Sequence, residues 1–301
     1  MTAPDFVIPA IKVSNYQDVV APEYCLETFE ADVLFGEHDA VIFNGDEGMN
    51  PVYQDAYSFL DFCDIKLLQA GTALGNMVYL AKHCNTGTKV VLKMFDTSTM
   101  TERIRTLVRR EITIHTQLEH PNIIDVYAVF KEANKLVMVM EFASNGDLYN
   151  NMEHWRDEET IRSQVVRPVL NALVYMNALG IIHRDIKPEN IFITSNFTIK
   201  VGDFGLAIDS NLETPKTPHV GTQSFMAPEI CDVLKTKRPF PTSCQGKADV
   251  YSVCVMIMEM LTHCVPAHVQ LSDNIINITS KGLIRDPRYR PSIASLMNYP
   301  W

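Results

Sequence analysis

The 301-residue chain has little glycine (13) and proline (16), and only 21% of its side chains are charged, which excludes a collagenous, linker-like or mostly disordered polypeptide. Long apolar runs are missing as well. The longest, Val253 to Met258, is far below the roughly 20 residues that a membrane span needs, and no basic-then-apolar leader opens the sequence. The seven cysteines are odd in number and form no CxxC pair, in a chain large enough to fold without staples. A reducing intracellular compartment, cytoplasmic or nuclear, is the expectation.

Basic residues are nearly absent from the first 64 positions, which hold 13 carboxylates against the single Lys12. That segment carries −12 of a net −10, leaving +2 for residues 65–301. An acidic extension on a nearly neutral body argues against nucleic acid or an anionic membrane surface as the main partner, since both demand clustered Lys and Arg. We place the extension at residues 1–60, as a solvated leader or a regulatory element.

With 47% hydrophobic side chains, the rest is long enough for one large domain or two lobes with separate cores. The β-prone runs Val78 to Ala81 and Lys89 to Lys93, separated by Asn85-Thr86-Gly87, read as a hairpin. Ile104, Leu107, Val108, Ile112 and Leu118 recur at helical spacing behind a Thr101 cap. Strands are expected at Ile123 to Phe130 and Leu136 to Phe142, about a turn at Glu132-Ala133-Asn134. Beyond Gly146 the pattern turns helical. One helix spans Glu158 to Leu179, closes on Gly180 and should kink at Pro168; a second, Ala248 to Thr262, is apolar nearly all round and so buried. A β-rich lobe before an α-rich lobe places a site in the cleft between them.

The most informative stretch is His183-Arg184-Asp185-Ile186-Lys187-Pro188-Glu189-Asn190, followed by Asp203-Phe204-Gly205. With Val91-Leu92-Lys93, Arg110-Glu111-Ile112, His120-Pro121-Asn122-Ile123, Gly221-Thr222, Ala227-Pro228-Glu229 and Asp249-Val250-Tyr251-Ser252, residues 63 to 301 resemble the eukaryotic protein kinases. Lys187 and Thr222 point to the serine/threonine branch, and the pattern is most similar to Aurora-like and calcium/calmodulin-dependent-like kinases. The altered glycine loop and shortened C-terminal lobe also resemble kinases of large DNA viruses, which would place the protein in a host cell. The resemblance implies an α+β, two-lobed fold over residues 61–301: N-lobe 61–140, hinge 141–147 and C-lobe 148–301. Trp301 falls where such domains close, which leaves no length for a further full domain.

It also implies ATP and Mg²⁺ as cofactors and protein hydroxyls as substrates. Phosphoryl transfer passes through a loose transition state, so catalysis is mostly positioning and charge neutralisation, and hard Mg²⁺ takes oxygen ligands. By resemblance Asn190 and Asp203 are the metal ligands, Asp185 orients the substrate hydroxyl with Lys187 beside it, and Glu111 pairs with Lys93, which grips the phosphates. Glu141, Ala143 and Asp147 would meet the nucleotide at the hinge. Gly71, Gly75 and Val78 would cover it, although Ala73 and Asn76 stand where glycines are usual and limit backbone approach. His115 replaces the Leu or Met that usually stacks on the phenylalanine of Asp203-Phe204-Gly205. Cys254 replaces a helix glycine and reads as a small hydrophobe.

Arg184 beside Asp185 calls for a phosphate counter-charge from the loop between Asp203 and Glu229, with Thr217 as first acceptor, Thr214 as second and Thr222 close by. Asp147, Glu189 and Glu259 occupy the places where basophilic kinases read Arg or Lys upstream of the acceptor. Two other readings stand beside catalysis: a pseudokinase scaffold, favoured by the altered loop and His115, and a small-molecule kinase, disfavoured by Ala227-Pro228-Glu229.

Overall fold

The computed structural model of the chain describes residues 57–71, 75–211, 223–231 and 246–299. Its N-terminal part is a five-stranded antiparallel sheet in the order β1-β2-β3-β5-β4: β1 Phe62–Ala70, β2 Met77–His83, β3 Lys89–Asp96, β4 Val126–Glu132 and β5 Lys135–Glu141. Alternation in β3 sends Val90 and Leu92 to the outer face, where they meet Tyr57, Phe62, Phe130 and Val139. The sheet's cover therefore begins at Tyr57, ahead of the charge boundary near residue 60. A bond from the Phe59 amide to the Glu132 carboxylate (2.7 Å) ties this cover to β4.

The inner face is closed by α1, Glu102–Thr116, whose N-terminus is capped by the Thr101 hydroxyl as the sequence predicts. Val108 and Ile112 of α1 pack with Phe95, Val129, Leu136 and Met138. The β4 strand starts later than expected. Ile123 and Ile124 are drawn instead to the C-lobe, where the Ile124 amide donates to the Val201 carbonyl (2.9 Å) and the Val201 amide to Asn122 (2.8 Å).

In the C-lobe the segment expected as one kinked helix is an α-turn Glu158–Thr160, a π-helical stretch Ile161–Val166 and then α2, Arg167–Ala178. Pro168 sits at the second position of α2, directly after the π-helical stretch. Its missing N–H and its ring are accommodated because the preceding turns widen, with the Arg167 amide reaching back five residues to Arg162. Gly180 ends the helix at φ 79°, and a Cβ there would meet the Asn211 side chain at 2.2 Å.

Four short strands follow, paired as β6 (Ile181–Ile182) with β9 (Ile208–Asp209) and β7 (Ile191–Ile193) with β8 (Ile199–Val201). The central helix α3, Lys247–Cys264, is buried along most of its length, with α4 (Asp273–Gly282) and α5 (Ile293–Met297) beside it. Among the described residues α4 is the only helix between α3 and Leu283, in line with the shortness of that region in the sequence. Cys254 fits its usual glycine position because Gly282 faces it: a Cβ on Gly282 would lie 2.1 Å from the Cys254 sulfur. Burial pushes the Cys254 thiol up to about 12, so it stays an uncharged packing group. No helix among the described residues is long and apolar enough to cross a membrane.

Candidate active site

Lys93 is placed by the register of β3, opposite Val78 on β2 and Met138 on β5. Its side chain is 10% exposed, and an ammonium at that depth needs opposite charge. Glu111, 1% exposed on the inward face of α1, supplies it through an ion pair with Lys93 Nζ. Asp203 Oδ1 adds a second contact at 3.1 Å. Burial alone would lower the Lys93 pKa, but the Asp203 and Glu111 carboxylates outweigh it, so the ammonium is held protonated above its ordinary range. Glu111 Oε2 has no hydrogen-bond partner among the described residues.

Asp203 follows β8 with φ 58°, a left-handed conformation that aspartate tolerates better than most residues. Lys93 is the main reason its carboxyl lies at about 2, against the opposing effect of burial. The side chain is 47% exposed, so an ionised carboxylate faces the cleft beside Lys93. Phe204 is fully buried between His115 (centroids 4.4 Å) and His183 (5.1 Å).

The loop between β6 and β7 carries the other polar groups. Asn190 Nδ2 donates to both the main-chain oxygen and Oδ2 of Asp185, each at 2.8 Å, and Lys187 Nζ lies 2.9 Å from the same Oδ2. With its NH₂ spent on Asp185, Asn190 has its amide oxygen left as a ligand atom. The Gly202 amide donates to the Asn190 carbonyl (2.9 Å), joining this loop to the segment between β8 and Asp203.

The loop's conformation depends on α3. Arg184 has φ 66°, a strained value for a long side chain, and the buried Asp249 carboxylate accepts from the amides of His183 (2.9 Å) and Arg184 (2.8 Å). The Arg184 Nε donates to the Leu206 carbonyl (2.8 Å), just past Gly205. In the sequence Asp249 stands out as an acid inside a helix apolar nearly all round, which marks a buried carboxylate but not the donors it serves.

At the hinge, Glu141 pairs with Val90 through the sheet, and its carboxylate turns to Lys200 (2.6 Å), which also reaches Asp125 (2.9 Å). The acidic group of Glu141 is thus taken up within the protein, and its amide donates to the Asp125 carbonyl (2.9 Å). Nothing in the sequence marked the Lys200 cluster. The Asp147 carboxylate is taken up by Asn150, accepting from its amide (2.8 Å) and side-chain NH₂. Gly71 (φ 67°) and Gly75 (φ 72°) flank the loop between β1 and β2 and have open space where a Cβ would stand, so backbone angle, not room, is what they provide. Thr72, Ala73 and Leu74 lie outside the described residues, as do Thr214, Thr217 and Thr222. Asn76, in a usual glycine place, is 1% exposed. Glu229 is gripped in bidentate fashion by Arg290, at 2.5 and 2.6 Å.

The arrangement offers a buried cation, an ionised carboxylate, a free amide oxygen and a second carboxylate along one cleft. That inventory suits a metal-bound polyphosphate. The family model described as protein kinase domain matches residues 69–274. An Aurora kinase of Schizosaccharomyces pombe is 30% identical over 263 residues, 79% of this chain and 72% of that protein. An Aurora kinase of Saccharomyces cerevisiae is 29% identical over 245 residues, covering 74% and 65% respectively. The serine/threonine-protein kinase PLK4 of Drosophila melanogaster is 31% identical over 206 residues, 66% of this chain but only 26% of the longer protein.

Proposed function

The chain belongs to the protein kinase family, and from that premise we propose that it transfers the γ-phosphoryl group of ATP to Ser or Thr hydroxyls of proteins. The observation that carries this reading is the assembled pair of constellations, Lys93–Glu111–Asp203 and Asp185–Lys187–Asn190, in one cleft. A scaffold needs neither. Asp203 and the Asn190 amide oxygen would hold Mg²⁺, which when bound neutralises charge on the phosphate oxygens. Lys93, kept protonated, binds and orients the phosphates. Asp185, oriented by Asn190, accepts a hydrogen bond from the substrate hydroxyl and receives its proton late in transfer, while Lys187 balances charge beside it.

We assign the acidic segment 1–60 as an extension to this domain and the loop threonines, Thr217 before Thr214, as phosphate acceptors that engage Arg184. Removal of loop phosphate by a phosphatase is expected to lower activity; unchanged activity would eliminate that role.

The central test is transfer of labelled phosphate from ATP to a mixed peptide library, wild type beside Asp203→Ala. A fall of about 10²-fold or more in the variant is expected, with the fold intact by circular dichroism. Equal rates would sink the assignment. A second reading, nucleotide binding with little turnover, draws on the buried Asn76 and the altered loop. ATP-dependent thermal stabilisation without any peptide labelling in the wild type would favour it.

A further inference from the structure

Cys63 and Cys84 lie 21 positions apart in the sequence and outside every motif above, yet β1–β2 pairing makes them neighbours. Phe62 faces His83 and Cys63 faces Lys82, so Cys84, one residue past β2, stands diagonally across from Cys63. The Cys84 amide closes the ladder on the Asp61 carbonyl (2.8 Å). Both residues are exposed and free; the Cys63 thiol donates to the Lys82 carbonyl (3.5 Å) and the Cys84 thiol to the Leu60 carbonyl (3.8 Å), weak contacts that either sulfur can give up. The other described cysteines, Cys231, Cys254 and Cys264, are half-buried or buried.

We propose that Cys63 and Cys84 form a reversible dithiol–disulfide site, oxidised by a low-molecular-weight disulfide such as glutathione disulfide. Two further features of the backbone favour closure. Between Cys63 and Lys66 the strand register slips, and Asp64 there adopts φ 54°, so this end of β1 is a bulge able to re-aim a side chain. Bringing the sulfurs of two diagonal neighbours to a covalent S–S length of about 2.05 Å is then a local adjustment on an exposed strand end.

The order of attack follows from the neighbouring groups. The Cys84 thiol is held above its ordinary value by its closeness to Cys63, and because ionising it would add negative charge near Asp61 and Asp64. Cys63 is therefore the attacking sulfur. Its thiolate displaces one glutathione thiolate from the disulfide, giving a mixed disulfide at Cys63. Cys84 then gives up its proton and attacks the Cys63 sulfur, expelling the second glutathione. Two electrons and two protons pass from the pair to glutathione disulfide, leaving one protein disulfide and two glutathione thiols.

The bond would close the open end of the β1–β2 hairpin, whose other end bears Gly71 and Gly75. It would thus tether the strands that carry the nucleotide-covering loop.

The full chain is equilibrated in glutathione buffers from reducing to oxidising, free thiols are alkylated, and digests with two proteases separate Cys25 from Cys63. Cys63 and Cys84 are expected to lose alkylation together, in a cross-linked peptide lighter by two hydrogens, and the melting temperature to rise on oxidation. Cys84→Ser should leave a stable glutathione adduct on Cys63 and abolish the rise. Independent glutathione adducts on both residues of the wild type, or a cross-link from Cys84 to Cys25, would overturn the proposal.

Discussion

The His115 ring lies 4.4 Å from that of Phe204, while its Nε2 meets the Ile124 carbonyl oxygen at 2.7 Å. One side chain thus joins α1, the Asp203-Phe204-Gly205 turn and the segment before β4. A Leu at this place would keep the stacking but lose the bond. The structure therefore turns a departure from the family pattern into an added polar link.

That link has a pH signature. Burial holds His115 at about 4, against an ordinary 6.5, and burial likewise lowers His120 to about 4. Both imidazoles are neutral in the folded chain, so between pH 6.5 and 4 the unfolded chain binds more protons. Stability is full above pH 6.5 and is lost as pH falls towards 4, by about 3 kcal/mol for fully buried His115. Urea unfolding at pH 5 and 7 should show His115→Leu about 1–2 kcal/mol less stable at pH 7, with the deficit gone or reversed at pH 5, where the wild type has lost about 2 kcal/mol. An identical pH slope in wild type and variant would refute this.

Lys93→Met should abolish phosphate transfer and also destabilise the fold by about 3 kcal/mol, because Glu111 is left buried without its cation. The double variant Lys93→Met, Glu111→Gln separates the two effects. Denaturant midpoints should return most of the way to wild type while activity stays absent. If the second change brings no recovery, the ion pair is not what the first one broke.

Asp249→Asn replaces one of the two acceptor oxygens by an NH₂, so either the His183 or the Arg184 amide faces a donor. The strained φ of 66° at Arg184 then loses its support. A cost of about 2 kcal/mol in stability is expected, with kcat falling more than KM for ATP changes, since Asp185 is displaced and Lys93 is not. A variant with wild-type kcat would show that α3 does not position this loop.

Substrate choice is expected to rest on Glu259 and Glu189. Glu259 Oε2 is buried with no hydrogen-bond partner among the described residues, and burial, opposed by His263 and reinforced by Glu189, raises its pKa. Such a carboxylate gains from an incoming guanidinium, whereas Asp147 is already taken up by Asn150. On a peptide array, Arg two or three residues before the acceptor should outperform Glu, and Glu259→Gln should reduce that preference about 10-fold or more. Equal labelling of both peptide sets by the wild type would defeat it.

Much of the site was legible in the chain because its chemistry lies in short, contiguous strings: Asp185, Lys187 and Asn190 on one loop, Asp203 thirteen residues on, and Lys93 and Glu111 on adjoining elements. Periodicity marked the sheet, α1 and α3 for the same local reason. It did not show the π-helical widening before Pro168, and it failed at Ile123, which the C-lobe drew away from β4. Contacts between distant positions were beyond it: the partners of Asp249, the carbonyl under His115, the room Gly282 leaves for Cys254, and the diagonal placement of Cys63 and Cys84 on paired strands. Residue types and spacings determine which groups are available and what local structure they favour. Which of those groups then touch is decided by close packing, because a buried donor or cation must take whichever acceptor the fold brings within reach.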